Sequence, residues 1–120
     1  MPAVAAAAPG PQITDRRIAV QVSVPDAAWT LAIQEIWHVR GELWIFAHVA
    51  RPGDAVGAMM ICTARDEVTA RLPDLPSRTF VEGKTWRWTN TEPVEWVSGD
   101  APVFEKRREG ERIWLRPPGP

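Results

Sequence analysis

The feature that most constrains the fold is a strict two-residue alternation of apolar and polar side chains. In the segment IAVQVSV, residues 18–24, every second residue is isoleucine or valine. Successive side chains of a β-strand point to opposite faces of the sheet, so this period predicts a strand with one face in a core. Pro25 and Asp26 follow, and both favour a turn. The alternation therefore indicates a half-buried strand that ends at Pro25.

Residues 29–51 extend the alternation into two long strands joined by a turn at residues 40–42. Glycine within this turn is typical of a β-hairpin. Glu35 is an exception, because a charged residue is not expected on the apolar face of the first strand. The second strand carries Trp44 and Phe46 on the face opposite to its aliphatic residues, so both of its faces are apolar. Such a strand is expected in the centre of a sheet, or its second face binds another molecule.

The rest of the chain contains shorter apolar segments separated by turn residues. We predict strands in MMICT (residues 59–63), VEWV (94–97), APVF (101–104) and IWL (113–115), and a hairpin in RTFVEGKTWRW (78–88) that turns near Gly83. The segment ARDEVTARLP, residues 64–73, fits a hairpin that turns at Arg65-Asp66 or a short helix capped by Thr63. Because its neighbours are strands, we predict the hairpin.

This succession of short strands predicts an all-β fold. Turn residues recur roughly every 8 to 12 positions, which indicates a single antiparallel β-sandwich of the immunoglobulin-like type, or a small open barrel, with about seven or eight strands. A chain of 120 residues fits one such domain. We place the domain at residues 13–116, between a disordered N-terminal arm (1–12) and a flexible, proline-rich tail (117–120).

Charge and composition argue against several classes of partner. The chain has 14 basic and 15 acidic residues, a net charge of −1, and so lacks the basic excess of most nucleic-acid-binding proteins. No apolar segment approaches the roughly 20 residues of a membrane helix. The single cysteine, Cys62, has no partner for an internal disulfide. We predict neither nucleic-acid binding nor membrane insertion.

The N-terminal segment MPAVAAAAPGPQ bears on localisation. Its alanines follow the A-x-A pattern and a proline-rich linker comes next, which fits the remnant of an export signal and predicts a periplasmic or extracellular protein. The same residues fit a plain flexible terminus equally well, and the protein would then be cytoplasmic.

Residues that could carry catalysis or bind a metal are sparse. Across the predicted hairpin, His38 and His48 lie on the order of 10–16 Å apart at ~3.3 Å per residue, too far to share one metal ion. Met59, Met60 and Cys62 form a soft cluster, but an apolar core strand explains them better than copper does. No nucleophile, phosphate-binding or zinc motif occurs. We therefore predict no catalytic residues, no metal site and no cofactor.

The aromatic composition is unusual, because the chain contains seven tryptophans and no tyrosine. A small core accommodates roughly three or four, and the others are expected at edges or binding faces, where the indole N–H meets a polar partner. Exposed indoles could stack on sugar rings, or a loop tryptophan could anchor a protein partner. In GKTWRWTN, residues 83–90, Trp86 and Trp88 would share one face of a strand, so the pair is either core or an aromatic platform.

Three loop segments carry a resemblance to known proteins: PDAAW (residues 25–29), RPGDAVGA (51–58) and KTWRW (84–88). Their order along the strands resembles that of small exported bacterial β-proteins without an assigned activity. It is also distantly similar to chagasin-type cysteine-protease inhibitors, immunoglobulin-like sandwiches that insert three loops into a protease cleft. The inhibitors' Asn-Pro-Thr-Thr-Gly motif is absent from this chain.

The resemblance implies a non-catalytic module that binds a protein partner, such as a protease, through loops at one end of the sandwich. The partner-binding residues expected on this basis are Asp26, Trp29, Arg51, Asp54, Lys84, Trp86 and Trp88. The alternatives are a carbohydrate-binding module that uses exposed tryptophans, and a small enzyme or metal protein.

Overall fold

The computed structural model of the chain describes residues 11–53 and 60–119. These residues form β1 (Ile13–Val24), β2 (Thr30–Val39), β3 (Glu42–Ala50), β4 (Cys62–Pro73), β5 (Ser77–Glu82), β6 (Glu95–Val97), α1 (Val103–Lys106), a 3₁₀ turn (Arg107–Glu109) and β7 (Glu111–Leu115). Most of the predicted N-terminal arm, residues 1–10, lies outside the described residues, and so do Asp54 and Met59. The prediction of an all-β fold is confirmed.

The strands form two sheets that pack face to face. β1 pairs with β4 in a two-stranded sheet, and the order β6-β5-β3-β2-β7 forms a five-stranded sheet. Alternate residues of β1 point inward, as the period predicts, and are buried against aliphatic residues of the larger sheet. The buried core consists of Ile18, Val20, Val22, Val24, Leu31, Ile33, Ile36, Leu43, Ile45, Ala47, Val49, Ala64, Leu72 and Val81. Each fully buried Val, Leu or Ile contributes about 1.5–3 kcal/mol, so this layer holds the sandwich together.

The β2–β3 hairpin matches its sequence prediction. Arg40 and Gly41 have φ values of +50° and +79°, the two positive values of a type I′ turn, and the strands pair from Thr30–Ala50 to Val39–Glu42. β3 lies between β2 and β5, so its two apolar faces are those of a central strand.

A β-bulge at Gln34 explains the position of Glu35. Ile33 pairs with Ala47, and Glu35 pairs with Phe46, so Gln34 has no opposite residue. One extra residue shifts the alternation to the other face. Ile33 and Ile36 are therefore both buried in the core, while Glu35 faces the outer side of the sheet.

The bulge is fixed by an ion pair between a residue of β4 and the residue that follows β7. The Asp66 carboxylate of β4 accepts a hydrogen bond of 2.8 Å from the Ile33 N–H, and the Arg116 guanidinium donates through Nε to the Ile33 carbonyl at 2.6 Å. Asp66 and Arg116 also pair with each other. Together they satisfy the backbone groups of Ile33, which would otherwise be unpaired beside the core.

The outer face of the five-stranded sheet is largely covered by the chain itself. Trp44, Phe46 and Phe80 are buried there, and Phe104 of α1 packs on Phe46 with ring centroids 5.5 Å apart. The Arg107 guanidinium lies 5.2 Å from the Phe46 and Phe104 ring centroids and pairs with Glu35. This part of the second apolar face of β3 is therefore covered by the short helix.

The pairing of β5 corrects the expectation of a wholly antiparallel sandwich. β5 runs parallel to both β3 and β6. The chain passes from β3 to β4 in the other sheet and then returns, so β5 points in the same direction as β3. The larger sheet is consequently mixed.

Residues 64–73 form neither of the predicted local structures. They belong to one continuous strand, β4, which pairs with β1 from Cys62–Val24 to Pro73–Ile13. The expected hairpin turn at Arg65-Asp66 is wrong because Asp66 points inward and binds Arg116 and the Ile33 N–H. The contacts of Asp66 with residues distant in sequence thus outweigh the local preference of Arg65-Asp66 for a turn.

Three further segments also differ from their predictions. Residues 78–88 do not form a hairpin, because β3 and β6 occupy the two edges of β5 and the chain leaves the sheet at Gly83 with φ +107°. Residues 101–104 enter α1 instead of a strand. In MMICT, Met60 and Ile61 precede β4 and are 63% and 67% exposed, so the prediction of a core strand is wrong for this pair.

We expect Asp66→Ala to lower the free energy of unfolding by about 1.5–3 kcal/mol, because the Ile33 N–H and the Arg116 guanidinium both lose their acceptor. Urea denaturation followed by circular dichroism measures this change. The matched control is Asp15→Ala, which removes an exposed ion pair with Arg71 in the same sheet and should cost less than about 1 kcal/mol. Equal effects of the two substitutions would contradict the role of Asp66 at the bulge.

Candidate functional site

The predicted loop segments meet at one end of the sandwich. Thr30 pairs with Ala50, Val24 with Cys62, and His48 with Glu82, so β1, β3 and β5 finish at the end where β2 and β4 begin. Residues 25–29, 51–53 and 84–88 extend from these strand ends, and we call them together the loop end. The remainder of the second segment, including Asp54, lies outside the described residues.

Four indoles form the centre of the loop end. We call Trp29, Trp86, Trp88 and Trp96 the tryptophan cluster. Trp86 is its hub: its ring centroid lies 5.0 Å from Trp29, 5.4 Å from Trp88 and 5.5 Å from Trp96. The Trp29 and Trp96 rings meet Trp86 edge to face, at 83° and 80°, a favourable geometry for aromatic pairs. All four side chains remain partly exposed.

Lys84 adds a positive charge to the cluster. Its Nζ lies 5.7 Å from the Trp86 ring centroid and 5.2 Å from that of Trp96, within the range of a cation–π contact. Four of the predicted residues are therefore grouped around one ring, because Trp29, Lys84 and Trp88 each contact Trp86. Trp96, on β6, joins them, although its position in VEWV gave no sign of this.

A polar network ties the tryptophan cluster to β1. Asn90 accepts a hydrogen bond of 2.8 Å from Trp86 Nε1, and it donates to the Ser23 carbonyl and to Glu92 at 2.9 Å each. Glu92 Oε2 accepts from the Ser23 N–H at 3.0 Å and from its hydroxyl at 2.7 Å. The segment after β5 is thus fixed to the edge of β1, although it is not part of a sheet.

The hydrogen bonds of this network also govern the ionisation of Glu92. Partial burial disfavours the charged carboxylate, but the bonds donated by Asn90 and by the hydroxyl and N–H of Ser23 outweigh that cost. The pKa of Glu92 is therefore lowered. Neither Asn90 nor Glu92 was identified from the sequence, because their role depends on Ser23, more than 60 residues earlier.

Asp26 and Arg51 hold the first two loop segments together. Asp26 accepts a hydrogen bond from the Ala28 N–H at 2.8 Å, which closes the turn before Trp29, and another from Arg51 Nε at 3.0 Å. The Asp26 carboxylate is mostly buried, whereas the Arg51 side chain is about one-third exposed. Both predicted residues thus fix the loops in place, and Arg51 also contributes to the surface.

The exposed pair Met60 and Ile61 enlarges the apolar surface at this end. Cys62, the first residue of β4, lies opposite Val24 at the end of β1, so the pair just before it is at the loop end. From the sequence alone, the apolar run in MMICT is as typical of a core strand as of an exposed apolar surface. Only the fold shows that the side chains of Met60 and Ile61 are exposed.

The two histidines point to opposite faces of the larger sheet. His38 lies opposite Leu43, five residues from His48 on the neighbouring strand, and an odd separation along a strand reverses the face. His48 is paired with Glu82, with 3.4 Å between Nδ1 and Oε1. Within residues 11–53 and 60–119, no group of three or more His, Cys, Asp or Glu side chains is placed to hold a metal ion.

The arrangement of Trp86 and Trp88 bears on the carbohydrate alternative. The two rings are tilted by 33° to each other and their centroids are only 5.4 Å apart, so they do not lie in one plane. A side-by-side platform for stacked sugar rings would need the indoles to be coplanar. Trp86 is also surrounded by Trp29, Trp96 and Lys84, whereas Trp88 contacts only Trp86 within the cluster.

Comparisons with known proteins leave the family open: no family model, curated protein or solved structure matches the chain. No helix in the described part of the chain has the length and hydropathy of a membrane span.

We expect the stability of the protein to fall as the pH drops below about 4.5, the ordinary value for a glutamate, in part because Glu92 becomes protonated. Its pKa is lower in the folded than in the unfolded state, so its contribution is present above that pH and is lost as the pH falls through the folded-state pKa. Glu92→Gln should lower the stability at neutral pH and flatten this acid dependence.

Thermal melts at a series of pH values measure both effects. Glu105→Gln, at an exposed carboxylate of α1, is the matched control and should leave the stability at neutral pH unchanged. An identical acid dependence of wild type and Glu92→Gln would contradict a stabilising role for the ionised network.

Proposed function

We propose that the protein is a non-catalytic interaction module that binds a protein partner through its loop end. The observation that carries this proposal is that residues 25–29 and 84–88 meet in a cluster of four partly exposed tryptophans, to which residues 51–53 are joined through the Asp26–Arg51 pair. Tryptophan and arginine are the residues most enriched where protein interfaces gain their binding energy. The loop end presents both, together with the exposed side chains of Met60 and Ile61.

The hydrogen bonds that hold the loop end in place support this proposal. Asp26 links the first two segments, and Asn90 fixes Trp86 to β1 through the Ser23 carbonyl. Binding a partner orders few additional side chains when the loops are already held in place, so less entropy is lost on association. Rigid loops that carry aromatic residues on a β-sandwich are suited to protein recognition.

A protease is the partner class that we propose in particular. In chagasin-type inhibitors, to which the order of these loops is distantly similar, loops at one end of a sandwich insert into the cleft of a protease. Export, one of the two interpretations of the N-terminal alanines, would place the protein where secreted proteases act. Trp88, which within the cluster contacts only Trp86, is the ring that we expect to meet the protease.

We expect a photo-crosslinking amino acid in place of Trp88 to capture a discrete protein from extracts of the source cells, and an excess of unlabelled wild-type protein to prevent this capture. The matched control places the same amino acid at Trp37, which is also partly exposed but lies near the hairpin turn at the other end of β2. Equal capture at the two positions would contradict a specific role for the loop end. Tryptophan fluorescence that responds to a glycan panel would favour the carbohydrate alternative.

We expect the protein to inhibit papain-type cysteine proteases in a peptide-hydrolysis assay, and Trp88→Ala to weaken inhibition by about tenfold or more, as is typical of an interface hot spot. Trp37→Ala is the control and should inhibit as the wild type does, once thermal melts show that both variants are folded. Undiminished hydrolysis by a panel of proteases at saturating protein would rule out this partner class, while the crosslinking result would still test protein binding itself.

A further inference from the structure

The outer edge of β1 presents backbone groups that are not used within the described part of the chain. Ser23 directs its N–H and carbonyl away from β4, since Glu92 and Asn90 bind them. In an antiparallel pair, both groups of one residue point to the same side, and the side alternates along the strand. Ala19 and Gln21 therefore also present their N–H and carbonyl groups on this edge, where no described residue pairs with them.

A slot lies along this part of the edge, between the two sheets. It has a volume of about 360 Å³ and is lined on one side by Ala19, Val20 and Gln21. Ser77 and Thr79 of β5 form the other side, and Pro93 and Val94 lie along it. The neighbouring strand β6 pairs with β5 only from Phe80 onward, so Ser77 and Thr79 lie before the start of that pairing.

The two edges of the small sheet differ in their protection against pairing with another chain. On the outer edge of β4, Arg65, Glu67 and Arg71 carry charges, and the Asp66 side chain already binds the Glu67 N–H at 2.9 Å. Charged side chains on an edge strand prevent strand addition. β1 has no charged residue from Ala19 to Ser23, so this stretch lacks that protection.

We propose that the β1 edge at Ala19 and Gln21 binds an extended peptide segment of another protein by β-strand addition. Ser23, the next outward-directed residue of β1, already makes the hydrogen bonds that we propose for this edge. Glu92 accepts from its N–H and Asn90 donates to its carbonyl, as a peptide group would. A bound segment would continue this pattern along the edge and direct alternate side chains into the slot. Val20 and Val94 favour small apolar side chains there.

The shape of the slot selects a single extended segment over a second copy of this chain. The inner face of β1 is covered by the larger sheet of the same molecule. A second molecule that paired through its β1 would therefore also have to fit its own larger sheet beside the slot. A slot between two sheets has no room for a packed sheet, whereas a single peptide strand has both faces free. This inference does not rest on the proposed function, because it uses a strand edge and not the loop end.

The experiment screens a bead library of short, acetylated and amidated peptides with alternating apolar and polar positions against the full-length protein. We expect bound peptides to shift and protect the backbone amides of Ala19 and Gln21 in NMR spectra of the wild-type protein. Ala19→Pro should weaken their binding by about tenfold, because it removes one outward N–H and leaves the bonds to β4 intact. Thr69→Pro, at the outward-directed position opposite Arg17 on β4, is the matched control and should bind as the wild type does.

The outcomes separate the possible occupants of the edge. Peptides that bind equally well to Ala19→Pro, or a library from which no peptide protects the Ala19 and Gln21 amides, would overturn the proposal. Concentration-dependent self-association that Ala19→Pro abolishes would also overturn it, since a second copy would then be the occupant. Trp88→Ala should retain peptide binding, and a loss there would assign the peptides to the loop end. The wild-type NMR measurement remains decisive even if the proline variants do not fold.

Discussion

The β-bulge at Gln34 is the constraint on which the rest of the sandwich depends. Without the extra residue, the alternation that buries Ile33 would also direct Glu35 into the core, and an unpaired buried carboxylate costs several kcal/mol. With it, Ile36 takes the inward position and Glu35 pairs with Arg107 on the outer face. The same shift lets the short helix cover the aromatic side of the sheet.

Two polar links close the sandwich along its sides, and both replace missing strand pairing with side chains. On the β4 side, Asp66 and Arg116 satisfy the backbone of Ile33 at the bulge. On the β1 side, Glu92 and Asn90 satisfy the backbone of Ser23. Ser23 lies on the uncovered edge of β1, and Ile33 lies beyond the end of the β2–β7 pairing, so these side chains supply the hydrogen bonds that a neighbouring strand would provide.

The second of these links connects the fold to the proposed binding surface. Asn90 binds both β1 and the indole of Trp86, so the hub of the tryptophan cluster is fixed to the core sheet although its segment has no strand partner. Trp29, Trp96 and Lys84 then pack around that hub. The loop end is ordered by contacts between residues that are distant in sequence, from Ser23 to Trp96. Recognition at this surface therefore depends on the same packing that stabilises the sandwich.

The sequence by itself determined the all-β class, the inward face of β1, the β2–β3 hairpin with a turn within residues 40–42, and the tryptophans as candidate binding residues. These features depend on period-two alternation and turn chemistry, which act between residues that are close in sequence. Only the tertiary structure decided the parallel course of β5, the continuity of β4 through Asp66, the meeting of Trp29 with Trp86, and the roles of Asn90 and Glu92. Each of these depends on a partner tens of residues away, and local preferences contain no information about which distant groups will satisfy a buried polar atom.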